Sequence, residues 1–199
     1  PRAFAVLAVF AISSPALAQQ PQPSRVRGAI ESVDGDTLTI KSREGADVKM
    51  QMAGNLGVTG VAKMSLADIK VGSFIGATSV PEPDGTEKAV EIHVFPESMR
   101  GTGEGSRPYD LLPKSSMTNA TVDRTTAAAN DGQSLMLKYK DGEKKVVIGP
   151  DTPVVTFVPG DKSELKAGAQ VIAFATKRPD GSLEARRMLV GRDGLTPPM

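Results

Sequence analysis

Apolar and polar residues alternate with a period of two through most of the chain. Val26, Gly28 and Ile30 share one face, and Arg25, Arg27, Ala29 and Glu31 share the other. That period marks a half-buried strand, because successive side chains point to opposite sides. It returns at 37–41, with Leu38 and Ile40 inward, and at 47–52, with Val48, Met50 and Met52 on one face. Asp34-Gly35 and Glu44-Gly45 separate these runs. Glycine accepts positive φ without steric cost, so both predict hairpins. Residues 55–63 carry no clear period. Ser65 is placed to cap a short helical turn over 66–70, which Gly72 stops. Strands follow at 74–80 and 87–95, joined by Pro83-Asp84-Gly85. On the last strand Val90, Ile92 and Val94 read as inward, which leaves Glu91, His93 and Phe95 outward.

The pattern then recurs. Ile69 answers to Leu165, Lys70 to Lys166, Gly72 to Gly168 and Pro83-Asp84-Gly85 to Pro179-Asp180-Gly181, each 96 positions on. The second copy predicts strands at 118–125, around Leu135 to Tyr139, around Val146 to Ile148, at 154–158, 171–176 and 183–190, with a helical turn at 163–166. Its first hairpin is longer, through Ala127 to Asn130, before Asp131-Gly132. The expected fold is all-β: two tandem five-stranded OB-like barrels, residues 25–95 and 118–192. Each carries a short helical turn between its third and fourth strands. Closing small sheets into barrels removes exposed edges. Residues 96–117 are rich in Gly, Pro and Ser and read as a connector. Its Tyr109, Leu111 and Leu112 suggest packing in the groove between the barrels. The tail, residues 193–199, reads as frayed.

The V-x-G-x-I opening strand, the DG-x-x-L-x-I/L hairpin, the S-L-A-D-I-K-V-G segment and the P-D-G-x-x-x-A turn and strand resemble a family of secreted bacterial β-barrel domains of unknown function. Such domains often occur in tandem. The first copy carries the pattern through 26–94. The second departs at its start, where Asn119 to Val122 lack the glycine. The resemblance implies a fold and an export route and brings no catalytic residues. Some relatives carry a metal-transporter permease label.

Composition narrows the classes. Twenty-four basic and 23 acidic side chains leave a net charge of +1. A nearly neutral chain is a poor match for nucleic acid, whose binding rests on neutralising phosphates. There is no cysteine, so no disulfide framework or thiolate chemistry. Arg2, an apolar run over 3–12 and Ala16-Leu17-Ala18 have the order of a secretory signal. Residues 1–18 therefore read as a signal peptide and 19–24 as a disordered leader, with a periplasmic or extracellular destination. The apolar run is shorter than the ~20 residues a spanning helix needs.

Candidate chemistry is sparse. No nucleophile-elbow motif surrounds Ser79, Ser98 or Ser106, and His93 reads as a surface residue, so no enzyme is expected. Met50 and Met52 point the same way on a strand, and their thioethers could converge with His93 on Cu(I). That arrangement resembles the periplasmic copper carriers built on small OB barrels, which add a tryptophan; this chain has none. Core packing is the simpler reading, because both methionines continue the Val48 face inward and Met fills gaps there. In the connector, Arg100, Arg107, Tyr109 and Asp110 form the densest cluster of residue types that dominate interfaces. The sequence thus reads as an exported, non-catalytic binding or protein-interaction module without a cofactor. Its partner would be another exported or envelope protein. The alternative is a soft-metal carrier, or accessory of metal transport, holding copper on Met50, Met52 and His93.

Overall fold

The computed structural model describes residues 24–128 and 132–199. The stretch expected to be a signal peptide, nearly all of the expected leader and the tip of the longer hairpin lie outside the described residues. Among the described residues no helix is long and apolar enough to cross a membrane.

The protein is all-β, and its strands form a 12-stranded sheet. They are β1 (Ser24–Asp34), β2 (Thr37–Ser42), β3 (Asp47–Lys63), β4 (Phe74–Pro81), β5 (Glu87–Val94), β6 (Gly105–Pro108), β7 (Ser116–Ala127), β8 (Gln133–Tyr139), β9 (Gly142–Ile148), β10 (Val154–Pro159), β11 (Gln170–Lys177) and β12 (Leu183–Gly191). The Asp-Gly and Glu-Gly hairpins form where the pattern put them, with Gly35 and Gly45 at positive φ. Ser65 Oγ accepts from Ala67 N, and Asp68 closes the reciprocal capping contact on the turn Leu66–Asp68. Asp161 and Glu164 make the same box on Lys162–Glu164, which starts one residue earlier than the sequence suggested.

The residues 55–63 that lack a period belong to β3, whose 17 residues run on without a break. Their pattern fails because the strand changes neighbours midway. Its first half pairs with β2, from Lys41↔Asp47 to Thr37↔Gln51. Its second half pairs with β12 on one side and β10 on the other. Leu56 then faces one core cluster and Val61 another.

Strand pairing decides the architecture. β1, β2, β3, β12 and β11 close on themselves as a five-stranded barrel. Three of its strands come from the first sequence repeat and two from the second. β5, β4, β7, β8 and β9 pair in series, and Glu87↔Val146 with Lys88↔Val147 return β9 to β5. Here two strands come from the first repeat and three from the second. The barrels expected from residues 25–95 and 118–192 are therefore not formed by contiguous chain. The copies exchange their last two strands.

The exchange follows the recurring pattern. β12 lies parallel to β3 with Leu189↔Thr59, and β10 lies parallel to β5 with Val155↔His93. Those two pairings are the same contact, shifted by 96 positions. β3 and β10 meet antiparallel at the centre, from Val155↔Lys63 to Pro159↔Thr59. Close approach there depends on Gly160, whose added Cβ would stand 2.8 Å from the Gly60 nitrogen. Three apolar clusters result: one inside the barrel, one inside the second ring of strands, and one between them around Val61, Phe95, Phe157 and Leu189.

Two expectations about exposure are overturned. Glu91 is 0% exposed, His93 5% and Phe95 8%, so the supposed outer face of β5 is buried. β5 lies between β4 and the β9–β10 side, and Phe157 and residues of the connector lie over its other face. The tail is also packed. Pro197 and Met199 are buried, and Arg43 and Arg27 donate to the backbone oxygens of Pro197 (2.7 Å) and Met199 (3.0 Å).

Candidate binding cleft

The connector is ordered as a turn, Glu97–Met99, then β6, which adds to β7 through Arg107↔Met117. Tyr109 N donates to the Ser115 oxygen, which brings the chain back beside β7. This segment roofs a cleft of about 290 Å³ where the two rings meet. The volume is near the lower end of small-molecule sites, roughly 300–1,000 Å³.

One wall comes from three adjacent strands. Arg25 on β1 faces Phe174 on β11, and Phe174 faces Arg187 on β12. The phenyl ring therefore lies between two guanidinium groups, 3.8 Å from that of Arg187 and 5.9 Å from that of Arg25. Such cation–π contacts hold arginines near apolar surface without neutralising them. Burial, then the charge of Arg25, lowers the pKa of Arg187 from its ordinary value. Among the described residues Arg187 has no ion pair. Arg107, on the roof, donates to the Gly103 oxygen at 2.7 Å.

The connector is pinned to β1. Asp110 pairs with Arg25 at 3.2 Å and with Arg27 at 2.9 Å. Burial would raise the Asp110 pKa, but the hydrogen bond from Arg27 and the charges of Arg27 and Arg25 outweigh it and hold the carboxyl below its usual range. Tyr109 lies 4.9 Å from the Arg25 guanidinium and 5.7 Å from that of Arg27. Its own pKa is raised by burial, against the opposing pull of the two arginines.

The floor is polar at one end and aromatic at the other. Thr78 Oγ1 donates to Glu91 Oε1, and His93 Nδ1 bonds Glu91 Oε2 at 3.1 Å. A fully buried carboxylate needs such partners, because desolvation penalises it heavily. With Nδ1 committed to Glu91, Nε2 lies against Gly76, 2.0 Å from where a Cβ there would stand. The imidazole packs edge-on to Phe95 at 5.0 Å and beside Phe157 at 5.3 Å. Asn119, 4% exposed, donates from Nδ2 to the Thr102 oxygen at 2.9 Å, while its buried Oδ1 has no partner.

The structure sorts the residues singled out by sequence. Arg107 and Tyr109 line the cleft, and Asp110 anchors the wall beside it. Arg100 lies elsewhere: it grips Glu97 at 2.6 Å and donates to the Gly72 oxygen at 3.0 Å. Tyr109 and Asp110 thus have a structural reason for being where they are. Met50 is buried in the barrel core and Met52 packs against that core, whereas His93 lines the cleft. The structure does not bring that proposed metal trio together, because successive strands of the exchanged topology carry them into different rings. Among the described residues no three His, Cys, Asp or Glu side chains cluster to hold a metal.

Sequence reasoning missed Arg25, Arg187, Asn119 and Glu91. Their strands carry them in ordinary alternation, and nothing local marks them. The near-neutral charge also hid that Arg25, Arg27, Arg43 and Arg187 gather on one side, with Asp110 the acid that pairs there. Comparison with family models, with curated proteins and with solved structures finds no match, so the cleft's own geometry carries its interpretation.

Proposed function

We propose that this protein is an exported, non-catalytic binding module whose ligand site is the roofed cleft, each ring being an OB-like barrel that serves as scaffold. The observation that carries this is a concave, largely apolar site with a few convergent polar groups, built where two strand rings and an ordered loop meet. Ordered loops held on a rigid β scaffold are common places for binding. The lining includes no serine or cysteine, and the Thr102 hydroxyl is spent on the Met99 oxygen at 2.6 Å. Thr59 is the other threonine of the lining, and no serine or cysteine stands there for His93 to activate, which favours binding over covalent catalysis. Export rests on the apolar run and Ala16-Leu17-Ala18, together with the resemblance to secreted β-barrel domains.

A soft-metal role draws less support. Its thioethers would have to be Met99, Met117 and Met199, which line the cleft with His93. The arginines at the entrance would repel a cation brought there.

Native mass spectrometry of the mature protein, purified without refolding, tests the reading. Wild type should retain a small-molecule mass. Thr102→Trp, which fills the cleft from an exposed position, should lose it with an unchanged Tm. Bare wild-type mass, with no aromatic fragment binding in ligand-observed NMR, would remove the proposal.

A further inference from the structure

Within that reading of the cleft, on which this inference rests, we infer the ligand class: a small aromatic acid that also carries a hydrogen-bond donor. A hydroxybenzoate is the simplest example.

Four features converge on this class. First, the entrance is cationic. Arg25, Arg107 and Arg187 all line it and are exposed. Asp110 is already shared between Arg25 and Arg27. Arg187 makes neither an ion pair nor a hydrogen bond to any described residue, so its five N–H donors remain for an anion. Guanidinium matches a carboxylate in a paired, two-point geometry.

Second, the middle is aromatic. Phe95, Phe157, Phe174 and Tyr109 present rings, and Phe95 and Phe157 lie 5.4 Å apart in a tilted pair. Flat ligands gain from such offset and edge contacts beyond the area they bury. Inorganic phosphate or sulfate would satisfy the entrance but leave this surface bare.

Third, one acceptor in the lining lacks a donor. Asn119 Oδ1 is buried with no partner, and the Nδ2 bond to Thr102 fixes which way the amide points. An unsatisfied buried acceptor carries a desolvation cost that a ligand hydroxyl would remove. A site built this way rejects an analogue lacking the hydroxyl more strongly than an apolar pocket rejects a missing methylene.

Fourth, the size fits. About 290 Å³ corresponds to about ten liquid-water volumes. One substituted ring suits that space, whereas a lipid or a peptide exceeds it.

The test is isothermal titration of the folded protein with 4-hydroxybenzoate, benzoate, 4-hydroxybenzyl alcohol and inorganic phosphate as probes. The first should bind tightest. Loss of the hydroxyl or of the carboxylate should each weaken binding roughly tenfold or more, and phosphate should not compete. Arg187→Gln should raise the Kd for 4-hydroxybenzoate by a similar factor with Tm unchanged. Asn119→Ala should erase the preference for 4-hydroxybenzoate over benzoate. Equal affinity for 4-hydroxybenzoate and 4-hydroxybenzyl alcohol, or an Arg187→Gln variant with unaltered Kd, would overturn the ligand class. If uncharged aromatics still bind and Thr102→Trp blocks them, the binding-module reading survives that failure. If no aromatic probe binds and wild type retains no mass, both fall.

Discussion

At the scale of single residues, Gly76 fits closely under His93. A Cβ on Gly76 would stand 2.0 Å from His93 Nε2 and 2.8 Å from Asn119 Oδ1. Gly76→Ala must therefore push the imidazole off Glu91 or bend β4. Overpacking of this kind costs about 1–3 kcal/mol, which for a chain of this size is roughly 2–4 °C of Tm per kcal/mol. Thermal denaturation checks it; a Tm equal to wild type would mean that the ring has room to move. The position of His93 was not legible in the sequence. Its alternation placed it correctly opposite Ile92, but periodicity says only that two faces differ. It does not say that Phe157 and the connector return to cover the second face. Glu91 was hidden for the same reason: an outward carboxylate on a strand looks the same whether it meets water or a histidine.

At the scale of elements, the connector shows how composition can mislead. Gly, Pro and Ser over 96–117 suggest a solvated linker, yet the segment contributes β6 and is clamped by Asp110. Because the folded-state pKa of Asp110 is depressed, its contribution to stability is complete above the unfolded-state value of ~3.9. It is lost as pH falls through the lower folded value. The carboxylate side chain is 48% exposed, so solvent screening keeps the contribution below about 1 kcal/mol. The stability gap between wild type and Asp110→Asn should hold steady between pH 7 and pH 5 and shrink below ~4. Urea titrations at three pH values measure this, and a gap that persists undiminished in acid would contradict the clamp. The tail teaches the converse. GRDGLTPPM has no period and reads as frayed, but Met199 joins the cluster around Val61 and Phe95. Its order comes from carbonyls accepting from Arg27 and Arg43, partners more than 150 residues away.

At the scale of the whole molecule, the exchange of strands makes each repeat incomplete. The barrel needs β11 and β12, and the second ring needs β4 and β5. A fragment of residues 24–95 and one of residues 105–199 should each lack cooperative unfolding and bind as a 1:1 pair. Mixing them should restore a single transition and the circular dichroism of the intact chain. A well-folded monomer from either fragment alone would show that a repeat can close its own barrel, as the tandem reading supposes. The exchanged arrangement also explains the cleft's location. It lies where the pseudo-equivalent crossings, Leu189 with Thr59 and Val155 with His93, bring both rings together.

By itself the sequence determined the all-β class, the recurrence of its pattern at a constant offset, the hairpins and the Ser65 cap. These depend on local φ preference and on the alternation of side chains along one strand, both of which are written in neighbouring residues. It also singled out Arg107 and Tyr109, by residue type alone. Only the tertiary structure decided which strands pair, what covers β5, and that arginines from β1 and β12 gather beside an aromatic floor. Two copies with the same pattern offer each strand two equivalent partners, so matching faces cannot choose between a closed repeat and an exchanged one. The choice lies in the path of β3 and β10 past one another and in the turns that carry the chain onward, and the cleft exists only because of that path.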